Sequence, residues 1–184
     1  MEYPLNQAMQ STLAVLAEVR SGDLGAPTPC TSWDVRALVN HFVGTARWWA
    51  ATIAGDGEVP AADYAAGNFV AAYEESIQIA VAAFEADGAL ARTVRLPFGE
   101  FPGAVLLDLA ATEQFTHGWD LARALGHPAD LEPALASVLL SHARLAITDA
   151  YRGPDGQALF GPAVAAPQGA GPASQLAAFL GRSV

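Results

Sequence analysis

Lysine is absent from this chain of 184 residues, and its nine arginines face 19 acidic residues, a formal net charge of −10. A nucleic-acid binder needs a basic face to displace counterions from phosphates, and nine scattered guanidinium groups do not make one. Anionic membrane surfaces are disfavoured for the same reason. Only one cysteine is present, Cys30, which excludes an internal disulfide framework and a multi-cysteine zinc knuckle. Any metal must therefore be held by histidine and carboxylate. No apolar run reaches the roughly 18 residues of a membrane span, because Asp108, Glu113, Arg123 and Arg144 interrupt the most apolar stretches. The opening Met1-Glu2-Tyr3-Pro4 has no basic stretch leading into a hydrophobic one, so no secretory signal is read and the cytoplasm is the expected location. Also missing are a Gly-x-x-x-x-Gly-Lys-Ser/Thr phosphate loop and a Gly-x-Ser-x-Gly elbow.

What is present is alanine, 40 residues of it, in a chain 52% hydrophobic and 15% charged. Alanine is the best helix former, and this composition predicts one mostly helical domain over residues 1–184 with a sizeable core. Apolar residues at 5, 9, 13, 16 and 17 mark one face of a first helix, Leu5 to Val19. A Gly- and Pro-rich connector runs from Asp23 to Cys30. Thr31-Ser32-Trp33-Asp34 then reads as a capping box opening a second helix that ends near Ala54. A third helical stretch is expected from about Ala61 to Ala86, with Gly67 a weak point inside it. Residues 92–96 alternate like a short strand and Pro97-Phe98-Gly99 turns the chain, which suggests a short extended crossover on an all-α, four-helix bundle. A fourth helix is expected from about Pro102 to Leu125 and a fifth from about Leu131 to Tyr151. Arg152 to Pro172 holds five Gly and four Pro and reads as a surface strap, closed by a short helix from Ala173 to Leu180.

The fourth helix carries the chemistry. On a wheel of about 100° per residue, His117 and Asp120 fall within about 60° of Glu113, on a stripe shared with Leu106, Leu109 and Ala110. Burying a carboxylate and an imidazole there is costly without a compensating charge or hydrogen bond. A metal ion is one compensator. Residues four apart have Cβ atoms about 6 Å apart, close enough for Glu113 and His117 to grip one ion, and zinc usually takes at least three protein ligands. His41, mid-helix in the second helix, is the candidate third ligand. Together they form a His2Glu set with one position open to water or substrate. Asp120, one turn past His117, can orient a ligand imidazole as a hydrogen-bond acceptor. The alternative is a satisfied polar pair of Glu113 and His117 with no ion. Trp48-Trp49 read either as the wall of a cleft or as core. Cys30 precedes a helix N-terminus that would favour a thiolate, but no basic residue is near in sequence, which leaves a packed thiol. His127 and His142 have no companion at ligand spacing and read as surface residues.

The run Pro29-Cys30-Thr31-Ser32-Trp33-Asp34-Val35-Arg36-Ala37-Leu38-Val39-Asn40-His41, with His117-Gly118-Trp119-Asp120-Leu121-Ala122-Arg123-Ala124-Leu125-Gly126 later, resembles the mycothiol-dependent maleylpyruvate isomerase metal-binding family of the DinB-like superfamily. Phe160-Gly161-Pro162 and Leu180-Gly181-Arg182 are similar to the closing segment of a short, uncharacterised actinobacterial branch. The resemblance implies a DinB-like helical bundle and a divalent metal, usually zinc, on the positions of His41, Glu113 and His117. It also implies activation of a small-molecule thiol such as mycothiol towards an electrophilic substrate, by transfer or isomerisation. The His2Glu set suits nickel and iron as well as zinc. The isomerase carries a further C-terminal α/β domain that contributes to its active site, so maleylpyruvate is not the expected substrate here. No arginine for a substrate carboxylate is evident: Arg47 falls away from His41 on the wheel, and Arg123 lies beside the stripe. The competing expectation is a non-catalytic metal-binding bundle that binds or senses a small molecule. Phe115 and Trp119, on the far side of the fourth helix, suit a homodimer face or packing beneath the fifth helix or the strap.

Overall fold

The computed structural model describes residues 3–56, 59–97, 99–154 and 157–184. Among them are helices α1 (Pro4–Leu16), α2 (Val35–Ala54), α3 (Phe69–Glu85), α4 (Gly103–Ala124), α5 (Pro133–Ala146) and α6 (Pro172–Phe179), and strands β1 (Thr93–Leu96) and β2 (Gly99–Pro102). The architecture is predominantly helical, as expected for a DinB-like bundle. α1 lies along α4 and α3, and α2 lies along α3 and α4, so these four helices form the bundle. α5 covers α4, and α6 covers α5 and α4 from the outside.

α1, α2 and α3 each bury one apolar stripe, whereas α4, the central helix, is buried on all sides from Gln114 to Ala122. α1 contributes Leu5, Met9 and Leu16, α2 Leu38, Phe42 and Ile53, α3 Tyr73, Ile77 and Phe84, and α4 Leu106, Phe115 and Leu121. α1 and α4 approach unusually closely: a Cβ on Gly118 would fall 2.3 Å from Thr12 Oγ1, so only glycine fits there. The same Thr12 hydroxyl donates to the Gln114 carbonyl at 2.8 Å, tying the two helices together. No helix among the described residues is long and apolar enough to cross a membrane.

Several boundaries differ from the sequence expectation, each for a local reason. Asp34, not Thr31, caps α2: its side chain accepts from the Ala37 amide at 2.8 Å, and the preceding residues belong to the loop. The third helix starts at Phe69 rather than Ala61, because Gly67 breaks the chain and Asn68 caps the helix by accepting from the Ala71 amide. The extended crossover is half of an antiparallel hairpin, β1 pairing with β2 from Thr93↔Pro102 to Leu96↔Gly99. Phe98, which the turn reading names, lies outside the described residues. The hairpin is tied to the bundle by Arg92, whose guanidinium donates to the Ile53 and Ala54 carbonyls at the end of α2. α5 stops at Ala146, and residues 149–151 form a separate single turn. Phe115 and Trp119 are both buried, Trp119 reaching Ser174 of α6 at 3.4 Å. Trp119 thus packs beneath the closing helix, and neither ring forms an open face of the chain.

Candidate functional site

α2 and α4 run side by side, so His41 in the first faces Glu113 and His117 in the second. His41 Nε2 lies 3.1 Å from Glu113 Oε1, and His117 Nε2 lies 3.8 Å from the same oxygen. The two imidazole rings meet edge to face, centroids 4.8 Å apart. One donor atom from each of the three residues falls within 4.8 Å of the other two.

The carboxylate of Glu113 is held asymmetrically. Its Oε2 accepts from the Trp49 indole at 2.9 Å and from the Gln114 amide at 3.1 Å, while Oε1 is turned to the imidazoles. Gln114 is itself fixed, donating to the Phe42 carbonyl and accepting from the Tyr73 hydroxyl at 2.7 Å. Burial pushes the Glu113 carboxyl up, but hydrogen bonding to His41, the two imidazoles' charge and the Trp49 donor outweigh it and hold it down at about 2. An anionic carboxylate therefore faces the site at neutral pH.

His117 is anchored from behind. Its Nδ1 lies 3.0 Å from Asp120 Oδ2, which leaves Nε2 facing Glu113 and His41. Burial lowers the His117 pKa more than Asp120 and Glu113 restore it, so the imidazole stays neutral. Asp120 is fully buried, yet the hydrogen bond from His117 and the charge of Arg182 keep it ionised, near 2. Arg182 Nη2 lies 3.0 Å from Asp120 Oδ2 and its Nε 3.3 Å from Oδ1. The sequence marks this arginine only as part of the Leu180-Gly181-Arg182 closing segment; its contact with Asp120 was not legible, because it lies beyond the last helix in a segment without periodicity. It is delivered by Gly181, whose φ of +94° and close passage over Gly161 only glycine tolerates.

Cys30 completes this cluster, its Sγ 3.2 Å from Asp120 Oδ2 and 3.4 Å from Arg182 Nη2. A basic partner does exist, 152 residues away, but burial and the Asp120 charge outweigh it and push the thiol up to about 12. The loop before α2 is organised by Thr28, which donates to the Trp33 carbonyl and accepts from the Cys30 amide. That turn lays the Trp33 ring against His41, centroids 4.3 Å apart. The sequence marks Trp33 only as part of the capping box and of the run ending at His41, and no sequence pattern pointed to Gln114; the roles of both depend on tertiary contacts.

His41, Glu113, His117, Cys30, Trp33 and Arg182 line a cavity of about 510 Å³, together with Trp48, Trp49, Leu109, Ile147 and, from the strap, Phe160. Trp48 and Trp49 thus serve as wall and, for Trp49, as a donor to Glu113. Arg47 and Arg123 stay outside, Arg47 on Glu75 and Ser76 and Arg123 over Trp119. His127 is exposed, but His142 does have an acidic companion, Asp108 of α4 at 3.0 Å.

A family model described as the mycothiol maleylpyruvate isomerase N-terminal domain matches residues 5–122, more than half of the chain. The chain belongs to that family. An uncharacterised protein of Mycobacterium tuberculosis, MT0763 in strain CDC 1551 and Rv0738 in strain H37Rv, is 40% identical over 182 residues, covering 97% of this chain and 95% of its own. No solved structure matches the chain. His41, Glu113 and His117 lie within the matched span, whereas Arg182 and the strap lie beyond it.

Proposed function

We propose that the chain is a metal-dependent enzyme in which His41, Glu113 and His117 hold a divalent ion, zinc before nickel or iron, and activate a small-molecule thiol such as mycothiol for transfer or isomerisation. The observation that carries this reading is Glu113 Oε1 facing both imidazoles at 3.1 and 3.8 Å beside a cavity. Those separations suit donors that each bond one ion at about 2 Å. The protonation states fit as well: a carboxylate anion and a neutral His117 are the forms that ligate. When bound, such an ion supplies positive charge that lowers a thiol pKa and yields thiolate near neutral pH.

The protein's residues do the rest. Asp120 fixes the His117 ring so that Nε2 faces the site, and Trp49 and Gln114 hold the carboxylate in place. Trp33 and the strap shield the donors from bulk water. A second donor group, Cys30, His117 and Asp120, also lies within 4.8 Å. It suits an ion less well, because the Arg182 guanidinium already occupies the cation's place against Asp120 and the thiol stays protonated. The strap and α6 roof the same cavity, which supports reading residues 1–184 as one domain, and the thiol chemistry is placed in the cytoplasm.

Elemental analysis of untagged protein tests the centre. One equivalent of divalent metal is expected, with a near-complete loss in His41→Ala and His117→Ala. A metal-free parent that stays so after zinc is added back would leave a hydrogen-bonded polar cluster. If metal is present, a thiol–electrophile rate no higher than that of free mycothiol would leave a non-catalytic binding module.

A further inference from the structure

The cavity is mostly apolar. Away from the donor set its wall is formed by Trp33, Trp48, Leu109, Ile147, Leu159 and Phe160, interspersed with threonine, serine and tyrosine side chains. Its volume, about 510 Å³, is in the range of cavities that enclose small organic ligands. The charges around it are unequal. The Glu113 carboxyl lines it, already paired with the two imidazoles, and among the described residues lining the cavity the sole arginine is Arg182.

That arginine is fully committed. Nε and Nη2 lie against the two oxygens of Asp120, Nη1 donates to the Leu180 carbonyl at 3.1 Å, and Nη2 also reaches Cys30 Sγ. Drawing it towards a ligand carboxylate would strip a buried aspartate of its counter-charge, which is costly. The two imidazoles are turned to the Glu113 carboxylate, His41 Nε2 at 3.1 Å and His117 Nε2 at 3.8 Å from Oε1. A carboxylate entering the cavity would thus lose its hydration without finding a protein cation.

We propose that the substrate bound beside the thiol is an uncharged, largely aromatic or alicyclic molecule with a single polar end, and that carboxylates are excluded. The proposal rests on reading this cavity as the substrate site. The aromatic wall supplies burial and ring contacts, and the polar end lies towards the donor set. Phe160 and Leu159 come from the strap, so that segment selects the guest as well as roofing it.

The test is isothermal titration of the full chain, as purified and again after chelation, with 2-naphthylmethanol and with 2-naphthoate. These probes share a ring system and differ in charge. After chelation the alcohol is expected to bind at least about tenfold more tightly than the carboxylate, a difference that follows from desolvating an unpaired anion; the untreated protein shows whether a bound ion offers the carboxylate a partner. Leu159→Arg, at a half-exposed strap position where folding is not at stake, is expected to raise 2-naphthoate affinity by about tenfold while weakening the alcohol. Equal or tighter binding of 2-naphthoate to the chelated parent protein, no heat from either probe, or no gain in the chelated arginine variant would overturn the proposal. Zinc binding at one equivalent together with any of those results leaves the metal reading standing. Selective binding of the alcohol by a chain that takes up no zinc does the reverse, upholding this proposal and removing the metal.

Discussion

Arg182 and Asp120 are 62 residues apart in sequence and 3.0 Å apart in the structure, and the same carboxylate oxygen that receives the guanidinium lies 3.0 Å from His117 Nδ1. The closing segment therefore acts on the proposed metal centre through one buried carboxylate. Groups that orient a ligand histidine from behind typically account for 10- to 100-fold in metal affinity. Asp120→Asn and Arg182→Gln are each expected to weaken zinc binding by about 10- to 100-fold, with Arg182→Lys closer to the parent. Competition against a chromogenic chelator gives the number, and unchanged affinity in both variants would show that His117 needs no such support.

Metal and fold stability are coupled if the three donors belong to one site. A ligand that binds only the native state stabilises it by about 2.7 kcal/mol when present at 100 times its Kd. Zinc is expected to raise the Tm of chelator-treated protein by several degrees, and the rise is expected to vanish in His117→Ala and Glu113→Gln. A thermal melt followed by circular dichroism decides it: a zinc-induced rise that survives both substitutions would place the ion elsewhere.

The helical part of this site was readable because periodicity is a local property. Glu113, His117 and Asp120 share a stripe for the same reason that any residues three, four and seven apart do, and His41 was located by its place in a second amphipathic helix. What lay outside was set by distant contacts. Gly99-Glu100-Phe101-Pro102 carries little strand propensity, and becomes β2 only because β1 is there to pair with it. Arg182 sits in an irregular segment whose course depends on two glycines crossing, a fact no window of sequence displays. Helix starts were misplaced where two capping residues competed, Thr31 with Asp34 ahead of α2, and where Gly67 and Asn68 interrupted an apolar run.

The α1–α4 contact supplies a test of the fold independent of any metal. Alanine is normally favoured over glycine within a helix by about 1 kcal/mol. At Gly118 the sign is expected to reverse, because the new Cβ would meet Thr12 Oγ1 at 2.3 Å and the Thr12 backbone at 3.1 Å. Overpacking of this kind costs about 1–3 kcal/mol. Urea denaturation of Gly118→Ala is expected to show that loss, with a smaller one when Thr12→Ala is already present. A stabilised Gly118→Ala would mean that the two helices lie further apart.

Cys30 gives a prediction in which two neighbours pull in opposite directions. Burial and Asp120 raise its pKa from 9.0 to about 12, and Arg182 lowers it by less. The thiolate is the reacting form, so at pH 8 the native protein should be alkylated by iodoacetamide about 1000-fold more slowly than the unfolded chain, from the difference in thiolate fraction alone. The rate should climb tenfold per pH unit through pH 10 without a plateau, where an unperturbed thiol would already have levelled off. Asp120→Asn removes the anion and should speed the reaction; Arg182→Gln removes the cation and should slow it. The same shift bears on stability with a fixed sign. A proton held more tightly in the folded state stabilises the fold fully below pH 9, and that contribution fades as pH rises from 9 towards 12. A plateau near pH 9 in the native alkylation profile would show that the thiol is free of both neighbours, and with it the Asp120–Arg182 pair would lose its place beneath the site.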